Sequence, residues 1–202
     1  MGYMSQTIVS HNSRESEPIR FNRPSMLGVG TMVWLSSELM FFSGLFAAYF
    51  TLRSGAKGPW PPAGIKLDVL QSGIFTLILV MSSVTMQKAV FEAEHGRRKS
   101  AIRWIALTLT MGGSFVANQV VEWTHVAFSA STNAFGSLFF IMTGLHGLHV
   151  ILGLVGMLFL IGRLAGRTND PGELPVIQSL SYYWHFVDVV WIALYSVLFL
   201  TH

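Results

Sequence analysis

Two short runs in the second half of the sequence hold its most reactive side chains. One is Thr143-Gly144-Leu145-His146-Gly147-Leu148-His149-Val150, and the other is Tyr182-Tyr183-Trp184-His185-Phe186-Val187-Asp188-Val189-Val190-Trp191. Each sets an ionisable pair at i, i+3, His146 with His149 and His185 with Asp188, so each pair shares a face if its segment is helical. Both runs lie in long apolar stretches, as do Glu38 and Glu122. An ionisable group at bilayer depth is costly, so it turns toward the protein interior and often marks function. Three chemistries suit these six residues. They can tie helices together by hydrogen bonds. They can exchange protons. They can ligate a metal, with His146 and His149 completed by His185, Asp188 or Glu122, or hold a haem between His149 and His185. Spacing alone leaves all three open.

The elements that must position these residues are apolar and long. Of 202 residues, 51% are hydrophobic and 11% charged, against about 25% charged in soluble domains. Mean hydropathy is +0.51. These values describe an integral membrane protein. The sequence pI near 9.5 would suggest nucleic acid in a soluble chain. Here the basic residues cluster at the ends of apolar runs, so membrane topology explains them and no nucleic-acid partner is expected. No cysteine is present, which excludes disulfides, thiolate catalysis and cysteine-ligated metal.

Apolar runs of about 20 residues cross a bilayer as helices. Five such runs predict an all-α bundle: Leu27–Leu52, Val69–Val90, Ile102–Ala127, Phe135–Ile161 and Val176–Thr201. Pro59, Pro61 and Pro62 separate the first two, and His95 to Lys99 the next. Ser129 to Asn133 and Gly166 to Pro175 make the remaining loops. Residues 1–25 are polar, read as a mobile cytoplasmic tail, and carry no apolar run of the kind a cleavable signal peptide needs. Residues 26–202 form the transmembrane domain.

Five spans put the termini on opposite sides. Arg14, Arg20, Arg23, Lys88, Arg97, Arg98, Lys99, Arg103, Arg163 and Arg167 fall on the N-terminal side, whereas Arg53, Lys57 and Lys66 fall on the other. The bias predicts a cytoplasmic N-terminus and an external C-terminus. At ~1.5 Å of rise per residue, Glu38 lies roughly 16 Å from the cytoplasmic end of its span, and His149 and Asp188 roughly 18 Å from theirs. The three thus share one layer, with His149 expected to bond Glu38 and Asp188 as the competing partner. Glu122 lies nearer the outer face, on a polar stripe with Ser114, Asn118 and the adjacent Gln119. Gly144, Gly147, Gly153 and Gly156 line the fourth span and Gly112 and Gly113 interrupt the third, allowing close helix approach. Trp60, Trp104 and Trp123 fall near the interfaces. Arg163 ends the fourth span at headgroup depth, as a topology anchor or as the partner of a lipid phosphate.

From Asn22 to the C-terminus the sequence resembles subunit III of the haem–copper cytochrome c oxidases, in the shorter five-span form of actinobacterial type. Ser36-Ser37-Glu38-Leu39-Met40-Phe41-Phe42-Ser43-Gly44 is similar to the family's Ser-Glu-x-x-Phe-Phe-x-Gly element. Gln119-Val120-Val121-Glu122-Trp123 is similar to its Gln-x-x-Glu-aromatic element. Phe135-Gly136-Ser137 leading into Phe139-Phe140, the His146/His149 motif and the Tyr183–Trp191 run follow in the family's order. The resemblance implies a non-catalytic subunit that packs on subunits I and II of an aa3-type oxidase of the bacterial plasma membrane. It implies that haem a, haem a3 and copper reside in those partners, with no cofactor in this chain. It further implies a small subunit IV, a cytochrome bc supercomplex, and bound phospholipid near Arg163. The six buried polar residues then become structural or proton-handling groups. The related quinol-oxidase subunit shares the fold, but the Glu38 element favours the cytochrome c type. A free-standing haem or metal enzyme built on His146, His149, His185 and Asp188 is the competing class. A small proton-coupled transporter is a third, and no inverted repeat supports it.

Overall fold

Inside a bilayer every backbone polar group must find a partner within its own segment, and each of the five apolar runs does so as a helix. The structure, a computed structural model, describes residues 26–62, 65, 67–166 and 172–201. The helices are α1 (Met26–Gly55), α2 (Val69–Glu94), α3 (Arg98–His125), α4 (Ala134–Gly166) and α5 (Glu173–Tyr195). The last continues into a π-helical turn over Ser196–Leu200. All five are long and apolar enough to cross a membrane, and the described residues contain no strand. The expected tail at residues 1–25 lies outside the described residues. So do Arg14, Arg20, Arg23, Lys66 and Arg167 of the charge count.

The helices overrun most of the apolar runs because helical hydrogen bonding continues through the interfacial residues. Thus α2 extends to Glu94, and α4 passes Arg163 to reach Gly166. The fifth ends at Leu200, one residue short of Thr201, and the third also falls short at its far end. It stops at His125, two residues short of Ala127, because Val126 turns extended at φ −69°, ψ 135°.

Consecutive helices pack side by side: α2 on α3, α3 on α4, α4 on α5, and α5 back on α2. This closes a four-helix ring. Helix α1 lies outside it, against α4 and α5, and buries only Gly28, Phe42 and Tyr49. Helix α5 carries the largest core side chains, Trp184 and Trp191, both fully buried. Two glycines make room for Trp184. A Cβ at Gly112 of α3 would stand 2.7 Å from its ring, and one at Gly153 of α4 2.8 Å. Gly147, one of the glycines grouped with them by sequence, has nothing within 4 Å of where its Cβ would be.

Side chains close the helix ends. Asp68 caps α2 by accepting the Gln71 N–H at 2.9 Å. Gly96, at φ +71°, makes the tight turn into α3 that a Cβ would strain. Arg98 then donates to Glu173 of α5 at 3.1 Å and to the Arg163 carbonyl of α4 at 3.3 Å, joining three helices at one end of the bundle. At the other end Arg53 of α1 donates to the Thr201 hydroxyl at 2.7 Å and its carbonyl at 2.6 Å.

Candidate functional site

The ionisable residues separate into three groups at different places in the bundle. The first joins α1 to α4. His149 Nδ1 donates to the Leu145 carbonyl one turn back, at 2.7 Å. That bond turns the other ring nitrogen outward, where Nε2 lies 3.2 Å from Glu38 Oε2. Phe42 packs edge-on against the imidazole, with centroids 5.2 Å apart. Tyr183 of α5 donates to the His149 carbonyl at 2.8 Å, and Trp34 of α1 stacks on Tyr183 at 5.3 Å. The Glu38 side chain remains 22% exposed, so it is less enclosed than a mid-membrane carboxylate is expected to be, because α1 lies outside the ring.

The second group joins α2 to α5. The Ser83 hydroxyl donates to Asp188 Oδ2. The Ser83 oxygen lies 2.8 Å from His185 Nδ1, whose proton it accepts while donating its own. His185 Nε2 sits 3.4 Å from the Gln87 amide. Asp188 therefore does not compete for His149; it belongs to a different helix pair. Asp188 is buried, and its Oδ1 has no hydrogen-bond partner.

The third group lies where α2 begins and α3 ends. Ser72 donates to Glu122 Oε1 at 3.1 Å, and Gln71 donates to Asn118 at 2.6 Å. These contacts use the polar stripe of α3. They border a cleft of about 570 Å³.

His146 belongs to none of these groups. It is buried with both ring nitrogens unpartnered, stacked on Trp191 at 4.8 Å and edge-on to Phe115 at 6.1 Å. Its motif partner His149 turns to α1 instead, so the two imidazoles do not converge. Among the described residues no group of three or more His, Asp or Glu is placed to hold a metal ion. The two histidines considered for a haem face different helices. His149 has both nitrogens engaged, and His185 is held by Ser83 on α2. Arg163 is half-buried at the C-terminal end of α4, its carbonyl taken by Arg98.

Sequence reasoning missed Ser72, Ser83 and Arg98. A hydroxyl inside an apolar run has no signature of its own. The one available signal was that Ser82 and Ser83 interrupt the most apolar part of α2, opposite a helix carrying a carboxylate.

Comparison with known proteins meets this arrangement. A family model for cytochrome c oxidase subunit III matches residues 20–201. A probable cytochrome c oxidase subunit 3 of Mycobacterium leprae is 48% identical over 181 residues, covering 88% of this chain and 89% of the relative. One of Nocardia farcinica shows the same identity and coverage. A cytochrome c oxidase subunit 3 of Thermostichus vulcanus is 34% identical over 199 residues, 98% of both chains. With five membrane-length helices and matches spanning nearly the whole sequence, this multi-pass chain belongs to the cytochrome c oxidase subunit III family, the non-catalytic subunit of the haem–copper oxidases.

Proposed function

We propose that this chain is the third core subunit of an aa3-type cytochrome c oxidase in the bacterial plasma membrane. In that complex it stabilises subunit I, holds structural lipid and supports proton uptake. Haem a, haem a3 and copper reside in subunits I and II, and a small subunit IV and a cytochrome bc complex complete the assembly. The N-terminus is cytoplasmic and the C-terminus external, which places Arg98, Arg163 and the α2–α3 turn at the cytoplasmic face. There Arg163, at headgroup depth, holds a phospholipid phosphate.

The observation that carries this reading is how the ionisable residues are used. His149, His185, Glu38, Asp188 and Glu122 each bind a neighbouring helix, and among the described residues no three His, Asp or Glu are placed to hold a metal ion. Such a chain can brace a partner and hold protons, and the redox centres belong to the partner subunits. The test is to remove the chain from the purified oxidase and follow activity through many turnovers. The haem spectrum and initial rate persist, while the catalytic lifetime shortens. A depleted complex as durable as the whole one contradicts the stabilising role.

A further inference from the structure

An outward-facing side chain of a membrane bundle meets lipid or another protein. Apolar residues accept either, whereas a hydrogen-bonding group at bilayer depth needs a partner that lipid cannot give. Most of this surface makes no such demand. The exposed side chains of α4 are apolar, Ile141, Leu148, Ile151 and Leu158 among them. Outward hydroxyls of α1 and α3, such as Ser36, Ser43 and Thr110, donate to carbonyls of their own helix. Glu38 is held by His149.

The seam between α2 and α5 differs. Near one end Gln178 donates to Glu94 at 3.1 Å. Further in, the Gln87 amide lies 3.4 Å from His185 Nε2, and Ser83 joins His185 to Asp188. Gln87 is exposed, and Ser83 and His185 are half-buried, so this cluster opens outward. At ~1.5 Å per residue, Gln87 lies roughly 10 Å and Ser83 roughly 16 Å from the Glu94 end of α2. With 26 residues, α2 is about 9 Å longer than the ~30 Å hydrocarbon layer, so both stand inside it. The neighbouring Lys88 has a stem long enough to snorkel and lies over Trp104 at 4.9 Å; Gln87 turns the other way, onto His185. There its amide is only half used. If an N–H donates to a neutral His185, its oxygen faces out without a donor. If its oxygen accepts from a charged His185, its N–H groups face out without an acceptor. Leaving either to lipid is costly. We infer, resting on the assignment of this chain to an oxidase complex, that a transmembrane helix of a neighbouring oxidase subunit docks on the α2–α5 face at the level of Gln87 and His185. That helix presents an amide or hydroxyl side chain, which meets either form of the Gln87 amide.

The test keeps the oxidase complex in its own membranes and places a photoreactive benzoylphenylalanine at one exposed position at a time. Val84 of α2 and Val189 of α5 flank the cluster, while Leu107 of α3 and Leu158 of α4 serve as controls. Val84 and Val189 should cross-link to another oxidase subunit, and Leu107 and Leu158 to lipid alone. Gln87→Leu should weaken retention of the chain by the solubilised complex about fivefold, the scale of one interhelical hydrogen bond in lipid, and lower the Val84 cross-link with it. Capture of a subunit from α3 or α4, with lipid alone at Val84 and Val189, overturns the docking face and leaves the oxidase assignment standing. So does equal capture at all four positions, or retention that Gln87→Leu does not move. Capture of no oxidase subunit from any position overturns the assignment as well.

Discussion

Glu38 and His149 meet at 3.2 Å between α1 and α4 with one proton between them. The Leu145 carbonyl can only accept, so its bond fixes a proton on His149 Nδ1. A bare carboxylate against a bare Nε2 would then set two lone pairs together. The pair therefore exists as carboxylic acid with imidazole, or as carboxylate with imidazolium. Either form is neutral overall, which suits its depth in the membrane. Glu38→Gln supplies an N–H to the same nitrogen and should assemble with near-normal lifetime. Glu38→Leu leaves a largely enclosed acceptor unpaired, a cost of about 1–3 kcal/mol, and should loosen α1 and hasten inactivation during turnover. Residual activity against turnover number measures both. A Glu38→Leu complex as durable as Glu38→Gln would show that the bond is not what holds α1.

Asp188 depends on a single hydroxyl. Ser83→Ala removes the donor to Oδ2 while Oδ1 already has none. A buried carboxyl left wholly unpaired should destabilise the α2–α5 contact by about 1–3 kcal/mol, lowering the yield of assembled complex. Combining Ser83→Ala with Asp188→Leu should recover part of the loss, since the carboxyl and its donor are then both gone and only the His185 N–H that Ser83 accepted stays unpaired. Losses that simply add would refute the coupling.

The glycines of α4 are not equivalent. Gly153→Ala and Gly112→Ala would each drive a methyl to within 3 Å of the Trp184 ring. Overpacking of this kind costs roughly 1–3 kcal/mol. Gly147→Ala meets nothing within 4 Å and should leave thermal stability of the complex unchanged or slightly raised. The melting temperatures of the three variants decide this, and a uniform effect would mean that Trp184 does not set the spacing.

Orientation can be tested cleanly because the chain has no cysteine. A single cysteine at exposed His95, in the α2–α3 turn, should react with an impermeant maleimide only from the cytoplasmic side. One at exposed Ser131, in the α3–α4 turn, should react only from outside. The reverse pattern would invert the topology.

Much of the architecture was legible because bilayer thickness sets helix length, so apolar run length alone locates α1 to α5. The pairing of Glu38 with His149 was legible for a related reason: depth in a membrane can be counted along a helix. Rotation about the helix axis cannot be counted the same way. His146 and His149 stand one turn apart on α4, yet one faces Trp191 and the other Glu38. That difference follows from α5 lying in the ring and α1 outside it, which no local pattern encodes. Asp188 shares its depth with His149 but faces α2, and its partner Ser83 is a hydroxyl that sequence marks only as a tolerated polar residue. Arg98 was hidden in a different way. It sits in an Arg97-Arg98-Lys99 run that topology explains in full, so its bridge across α3, α4 and α5 showed only in the packing.

Whether this chain acts as an accessory subunit without a redox centre is decided by metal and subunit analysis of the tagged protein purified from its own membranes. It should bring down stoichiometric oxidase subunits I and II together with haem a absorption. After dissociation, iron and copper should follow those partners and leave this chain metal-free. Stoichiometric iron or copper on the separated chain, or its purification without oxidase subunits, would contradict the account.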